Sequence, residues 1–335
     1  MKKISFSAAL LLVVYFTAFC QTSADRSPAP TPKTSYSVKS VSKTNWNSPD
    51  GIPFKKVPGF NLGVASFEVM DKNRIAFLSD ASGEILISDR ADGKTKVKFP
   101  VGQAPRDFVY EGGNFFVLGE SQVSVFDEKG NQLKNIPFPG SYPGVGRVTR
   151  FHHSTWLLLP SGNSVELETG STHSGWITAS GDFVTTSISA ANSYKLSLTS
   201  REGSTTEKTF STNKKVAGVY VVGCTKERMV IDVQTYITES PISVERHLIA
   251  VSLANGEIGE IVSDLKIPDV YYVISNKEFS VESDGSVIHM ITSPDGLFLF
   301  SLNETDISKA KKYPAALSDV KYHFNDHLLQ ANEQK

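Results

Sequence analysis

The mature part of the chain is built from short apolar runs set between turn residues. RIAFLSD (74–80), EILISD (84–89), NFFVLG (114–119), QVSVFD (122–127), TWLLLP (155–160) and SVIHMIT (286–292) are rich in Val, Ile, Leu and Phe. Runs of this length and composition predict strands. Between strands stand Asp92-Gly93, Asn255-Gly256, Asp284-Gly285 and Asp295-Gly296, which supply the positive φ that tight hairpins need. No stretch of the mature chain carries a convincing amphipathic helical period. The pattern predicts an all-β, antiparallel fold.

A longer period lies over the strands. A basic or Asn residue, an apolar residue and a proline recur in KKVPG at Pro58, VKFPVG at Pro100, KNIPFPG at Pro137, LKIPD at Pro268 and KKYPA at Pro314, and KKVAG continues the series with Ala217. The spacings are 42, 37, 80, 51 and 46 residues, and the 80 is two steps with the missing mark near 175–180. Units of about 40–50 residues with four strands each are the mark of a β-propeller. Six intervals predict six blades of four antiparallel strands. Proline fits just after an outer strand, where no ladder donor is required. A sandwich or a solenoid also has alternating strands, but evenly spaced marks argue against both. A propeller must close, because an open ring leaves bare strand edges. We expect a strand near 36–41 or 52–57 to pair with the C-terminal blade. Extra residues around 235–246 predict a long hairpin in blade five.

The N-terminus reads differently. Lys2 and Lys3 precede an apolar core, 8–18, that is too short to span a bilayer and suits a secretory signal. Signal peptidase could cut near Thr22-Ser23-Ala24 and discard Cys20. Alternatively, Thr17-Ala18-Phe19-Cys20 acts as a lipobox and Cys20 becomes the lipidated first residue. This segment resembles a bacterial lipoprotein leader in its basic start, short apolar run and terminal Cys. It departs at Phe19, where that family has Gly, Ala or Ser. Ser, Thr, Pro and Ala dominate 21–37, as in an extended tether. The lipid-anchor reading is preferred. The expected division is a signal peptide at 1–19, a disordered tether at 20–44 and one propeller domain at 45–330.

Blade two is VGQAPRDFVYEGGNFFVLGESQVSVFDEKGNQLKNIPF (101–138). With Gly102 and Pro105 before its inner strand, Gly113 in its first hairpin, and Phe126-Asp127 with Gly130 in its last, it resembles an NHL-type blade. The layout resembles six-bladed propeller lipoproteins and secreted proteins of bacteria, in the NHL/YWTD-like group. The resemblance is specific over 67–139; blades three and four are degenerate, and Gly119-Glu120 replaces a frequent Asp. It implies an extracytoplasmic protein of the outer membrane or periplasm, or a secreted one, touching membrane only through its lipid.

Charge narrows the partners. Lys and Arg total 34 against 35 Asp and Glu, a net charge of −1, with no basic patch. Nucleic acid is not an expected partner. Cys224 would have no disulfide partner once Cys20 is lipidated or removed, and its apolar surroundings predict a buried thiol. The chain lacks a nucleophile elbow, a His-Glu-x-x-His helix, a Cys-x-x-Cys pair and a phosphate loop. His152-His153 is the one histidine cluster and would need a loop to share a metal. His289 sits in an apolar alternation and is expected to pack.

Position supplies the candidates. Segments leading into the innermost strands line one mouth of a propeller channel. Here they offer Arg106, Asp107, Tyr142, Arg147, Tyr220, Tyr271 and Tyr272, and Arg and Tyr are favoured at interaction hot spots. A structural role competes: Arg106 could pair with a carboxylate and the tyrosines could cap the core. Two functions follow. One is a binding or scaffold module for an envelope protein or a glycan, with no cofactor. The other is a lactonase-type hydrolase with a divalent metal in the channel, for which Asn61, Asp107 and Asp182 are the nominees.

Overall fold

A computed structural model describes residues 32, 34–102, 104–142, 144, 146–268, 270 and 272–314. The chain opens with β1 (Thr34–Thr44) and a small hairpin, β2 (Lys55–Val57) and β3 (Phe60–Leu62). Blade 1 holds β4 (Val64–Val69), β5 (Arg74–Ser79), β6 (Glu84–Asp89) and β7 (Thr95–Pro100). Blade 2 holds β8 (Asp107–Glu111), β9 (Asn114–Leu118), β10 (Gln122–Asp127) and β11 (Gln132–Pro137). Blade 3 holds β12 (Arg147–Phe151), β13 (Ser154–Leu158), β14 (Asn163–Glu166) and β15 (Thr172–Ser174). Blade 4 holds β16 (Trp176–Ile177), β17 (Phe183–Ala190), β18 (Ser193–Thr199) and β19 (Thr205–Ser211). Blade 5 holds β20 (Val216–Cys224), β21 (Arg228–Glu239), β22 (Ile242–Ala254) and β23 (Glu257–Ile267). Blade 6 takes β24 (Phe279–Val281), β25 (Val287–Ser293) and β26 (Gly296–Asp306), and completes its four strands with β1. The protein is a six-bladed β-propeller.

The middle strands are apolar at nearly every position because a blade buries both faces. Side chains alternate between those faces. On β5, Ile75 and Phe77 pack toward blade 6, beside Met290 and Leu299. Ala76 and Leu78 face blade 2, beside Phe108 and Phe115. Each neighbouring pair of blades shares one such core, and six cores complete the circle. Outer strands face water on both sides, so β11 reads QLKNIP and is largely exposed.

The ring closes through β1. It runs antiparallel to β26 from Thr34↔Asp306 to Thr44↔Leu297, with a bulge between Ser40 and Ser42. Tyr36 and Val38 enter the core between blades 5 and 6, and Val41 packs into the core between blades 6 and 1. Ser35 Oγ donates to Asp264 O at 2.6 Å, fastening β1 to blade 5 as well. The C-terminal segment then lies beside β1: Val38 N–H donates to Lys311 O at 2.8 Å. Of the two closure segments expected, the first is therefore the closing strand, and Lys55–Val57 belongs to a separate hairpin. The tether boundary at Thr44 needs correcting, since Thr34–Thr44 is strand. Frequent Ser and Lys in TSYSVKSVSKT resemble tether composition, but Lys39, Ser40 and Lys43 are exposed while Ser35 and Ser42 are buried with Tyr36 and Val38.

The long hairpin of blade five is β21 with β22. Pro100, Pro137 and Pro268 end or follow outer strands, whereas Pro58 lies in the β2–β3 turn, Ala217 lies inside β20 and Pro314 follows the C-terminal segment. His152 and His153 form the β12–β13 turn with φ of 48° and 70°, and both are exposed. Truncating the closing strand should be costly: Tyr36→Ala is expected to lower stability by about 3–5 kcal/mol. Guanidinium denaturation at constant pH checks this, and an unchanged midpoint would mean the ring holds without the Tyr36 ring of the closing strand.

Candidate functional site

Innermost strands β4, β8, β12, β16, β20 and β24 surround a central channel and all begin on one face, called here the entry face. A cavity of about 180 Å³ lies inside the channel. A second, of about 240 Å³, opens at the entry mouth. Arg147, Trp176, Val221, Val222, Lys277 and Phe279 line both. The fold places them simply. Arg147 is the first residue of β12, and Trp176 begins the two-residue β16 directly after Gly175, whose φ is +98°. Tyr220 rises from β20 at the mouth and is 52% exposed.

Most charges here are already matched. Lys277 Nζ pairs with Glu68. Arg246 is 4% exposed and binds Asp232 at 2.6 Å and Glu278 at 3.0 Å. Arg150 binds Glu111 at 2.9 Å and lies over the Phe116 ring at 4.2 Å. Arg147 differs. Among the described residues its guanidinium has no carboxylate partner, and its Nε is shielded from solvent without a hydrogen bond. It lies 5.6 Å from the centre of the Trp176 ring.

A further cavity lies toward the far end of the channel. It measures about 840 Å³ and is lined by Lys226 and Arg228 but also by Glu227, Glu282, Asp284 and Glu304. Glu282 is paired with Arg90 and Glu304 with Arg228. At the entry Lys277 and Arg246 are matched by Glu68, Asp232 and Glu278, so Arg147 stands out locally and not as part of a cationic field. Cys224 lines the exit end as a free thiol, and burial, with the Asp182 charge, pushes its pKa up to about 12.

Behind the mouth stands a buried support. His289 stacks on Phe279 at 4.3 Å and its Nδ1 hydrogen-bonds the Tyr313 hydroxyl at 2.7 Å. Burial, and then the Arg246 charge, hold the His289 pKa well below 6.5. Its expected packing role is what the structure has.

The residues nominated from sequence divide. Arg147 and Tyr220 line the mouth. Asp107 does not: it is 1% exposed, and its carboxylate accepts from Ser66 Oγ in blade 1 and from Val148 N–H in blade 3 at 3.0 Å. It is a tie across three blades, with each carboxylate oxygen engaged within the protein. Arg106 sits half-buried, with its carbonyl accepting from Asn276 Nδ2 at 2.6 Å. Tyr142 packs on Phe138 beside the core between blades 2 and 3. Tyr272 stacks on Phe54 at 5.3 Å, and its carbonyl accepts from Asn61 Nδ2. Tyr271 and Cys20 lie outside the described residues. Sequence reasoning missed Trp176, Lys277 and Phe279. It placed the blade-six entry at 271–272, although β24 begins at Phe279; for blade four, the missing mark near 175–180 was the available signal.

The metal nominees are not gathered. Asn61 is bound to Tyr272, Asp107 is buried between blades, and Asp182 accepts from Ser180 Oγ in the β16–β17 turn. Among the described residues no group of three or more His, Cys, Asp or Glu is placed to hold a metal ion.

No protein-family model matches the chain. No curated protein matches it in sequence either. Solved structures that resemble it include the Pan2 WD40 domain of Neurospora crassa, with 11% identity over 86% of this chain and 100% of that one, at a TM-score of 0.42. BamB from Moraxella catarrhalis shows 10% identity over 79% and 97%, at 0.37. A catalytically inactive virginiamycin B lyase from Staphylococcus aureus with quinupristin shows 10% over 80% and 99%, at 0.40. The six-bladed ring stands on the strand pairings above.

Two outcomes test these assignments. Asp107→Ala strands two buried donors and should cost about 2–4 kcal/mol of stability, measured by denaturation, while binding at the mouth is unchanged. His289 is neutral when folded but titrates near 6.5 when unfolded. The unfolded chain therefore takes up the extra proton as pH falls below 6.5, and stability drops, by at most about 1.4 kcal/mol per pH unit. His247 acts oppositely. Burial opposes its charge, but the Asp264 hydrogen bond and charge prevail and raise its pKa, so its contribution fades as pH rises. His289→Gln leaves His247 in place, so the variant should lose less stability than wild type between pH 7 and pH 5; parallel curves would remove His289 from the account.

Proposed function

We propose that this propeller is an extracytoplasmic binding module, anchored through a lipid on Cys20, that holds an envelope protein or glycan at its entry mouth. One observation carries the reading. Arg147 is a cation without a carboxylate partner among the described residues, set against Trp176 in a cavity beside exposed Tyr220. Desolvated Arg and aromatic groups at a pocket are where binding energy concentrates.

Exposed apolar groups favour a protein over a glycan. Among the described residues nine large apolar side chains are exposed; Val97, Leu133 and Ile307 lie on β7, on β11 and after β26, and the other six are Phe60, Ile188, Tyr220, Ile237, Ile242 and Ile274. These six lie on elements that reach the entry face: the β2–β3 hairpin, the β17–β18 and β21–β22 hairpins, the upper part of β20 and the loop before β24. Apolar residues concentrated on one face mark interaction surfaces. The chain meanwhile enters β1 at Thr34, opposite Asp306, at the exit end of blade 6. The NHL-like spacing of blade two is consistent with this class of envelope propeller.

Cross-linking in the native envelope, followed by mass spectrometry of what co-purifies and of the mature N-terminus, tests the reading. A stoichiometric protein partner is expected, lost with Tyr220→Ala or Ile242→Asp, together with a lipidated Cys20 peptide. Cys20→Ser should move the protein from the membrane fraction to the soluble one. Partner recovery indifferent to both entry-face variants would overturn the mouth as the binding surface.

A further inference from the structure

We propose that the entry mouth takes the C-terminal end of an extended peptide, with the terminal carboxylate on Arg147. This rests on the binding reading and names its ligand class. Three observations converge.

The charge comes first. Arg147 is the cation of the mouth that no carboxylate neutralises among the described residues, and its shielded Nε lacks an acceptor. A buried N–H without an acceptor is unfavourable. A carboxylate that draws the guanidinium away from Trp176 and binds it side-on through Nε and Nη removes that deficit with two charge-assisted bonds. Lys277 and Arg246, the neighbouring cations, are held by Glu68 and by Asp232 with Glu278.

The backbone comes second. β20 ends its sheet: it pairs with β21, and its other edge is turned to the channel. Val221 and Val222 on that edge line both cavities, and the ladder with β21 shifts register between Val221 and Gly223. An extended chain laid there finds main-chain N–H and C=O groups to pair with, as in strand addition.

The walls come third. Trp176, Val221, Val222 and Phe279 offer apolar surface to a last side chain. A sugar acid would instead need a hydrogen-bond partner for each ring hydroxyl, and three polar side chains of the mouth are already engaged, Gln234 Nε2 with Asp232, Ser275 Oγ with Val64 O and Asn276 Nδ2 with Arg106 O, while Asp232 Oδ1 has no partner among the described residues. Cavities of about 180 and 240 Å³ in line admit a chain end but not a folded domain.

The test uses the purified mature chain and a fluorescein-labelled hexapeptide pool ending in Leu or Phe, as free acids and as C-terminal amides, read by anisotropy. The acids should bind saturably, and amidation or Arg147→Ala should weaken binding about tenfold to a hundredfold. Arg147→Lys, which keeps the charge but not the fork, should recover only part of it. A thermal melt confirms that each variant is folded. Equal binding of acids and amides, or no binding of the acid pool, overturns the inference. So does Arg147-dependent binding of an oligogalacturonide in place of the peptides. In those cases loss of the cross-linked partner in Tyr220→Ala still decides the wider mouth reading on its own.

Discussion

The structure depends on closing the sixth junction. Every blade buries both faces, so no blade is stable at the end of an open row. Five junctions form between blades consecutive in the chain, but the sixth joins blade 6 to blade 1, and blade 6 is itself completed only when residues 34–44 meet residues 296–306. Bringing together ends some 260 residues apart costs about 5 kcal/mol in chain entropy. A single buried side chain returns about 1.5–3 kcal/mol, so no one contact closes the ring. The whole of β1 does, by adding a ladder, placing Tyr36 and Val38 in one core and Val41 in the next, and fastening to blade 5 through Ser35.

Closure also fixes where polar groups go. With both faces of the inner strands committed to the cores between blades, polar side chains gather around the channel and link blade to blade. Ser66, Asp107 and Val148 tie blades 1, 2 and 3. Arg150–Glu111 ties blades 3 and 2, Arg246–Glu278 ties 5 and 6, and Lys277–Glu68 joins the segment before β24 to blade 1. Removing one partner of such a pair leaves an uncompensated charge in a confined space, which is why matched pairs persist. Between blades 3 and 4 the corresponding link is Arg147 on Trp176, made by a ring face and not a carboxylate.

Blade number and fold were legible because a blade is a local object. Turn residues and apolar runs recur within 40–50 residues, and even the gap near 175–180 fell where β16 begins. The mouth was less legible, because it is assembled by six strand starts from across the chain. Asp107 looked like a ligand group from its place ahead of an inner strand. Its burial comes from Ser66 and Val148, each 41 residues away, which no local pattern announces. Trp176 and Lys277 belong to a two-residue strand and an irregular loop, which carry no period at all. Arg147 was legible by position, but that it lacks a carboxylate partner among the described residues is a property of the assembled ring.

That difference decides which cation of the mouth a ligand can use. A cation over an aromatic ring is held by about 0.5–2 kcal/mol. Each hydrogen bond to a charged group contributes about 1.5–3 kcal/mol, and a guanidinium–carboxylate fork makes two. An incoming carboxylate therefore gains by engaging Arg147, even where this loosens its contact with Trp176. It gains nothing at Arg246 or Lys277, where it would displace a carboxylate the protein already supplies. The proposed selectivity follows from one cation, Arg147, which among the described residues of the mouth is met by an aromatic face and by no carboxylate.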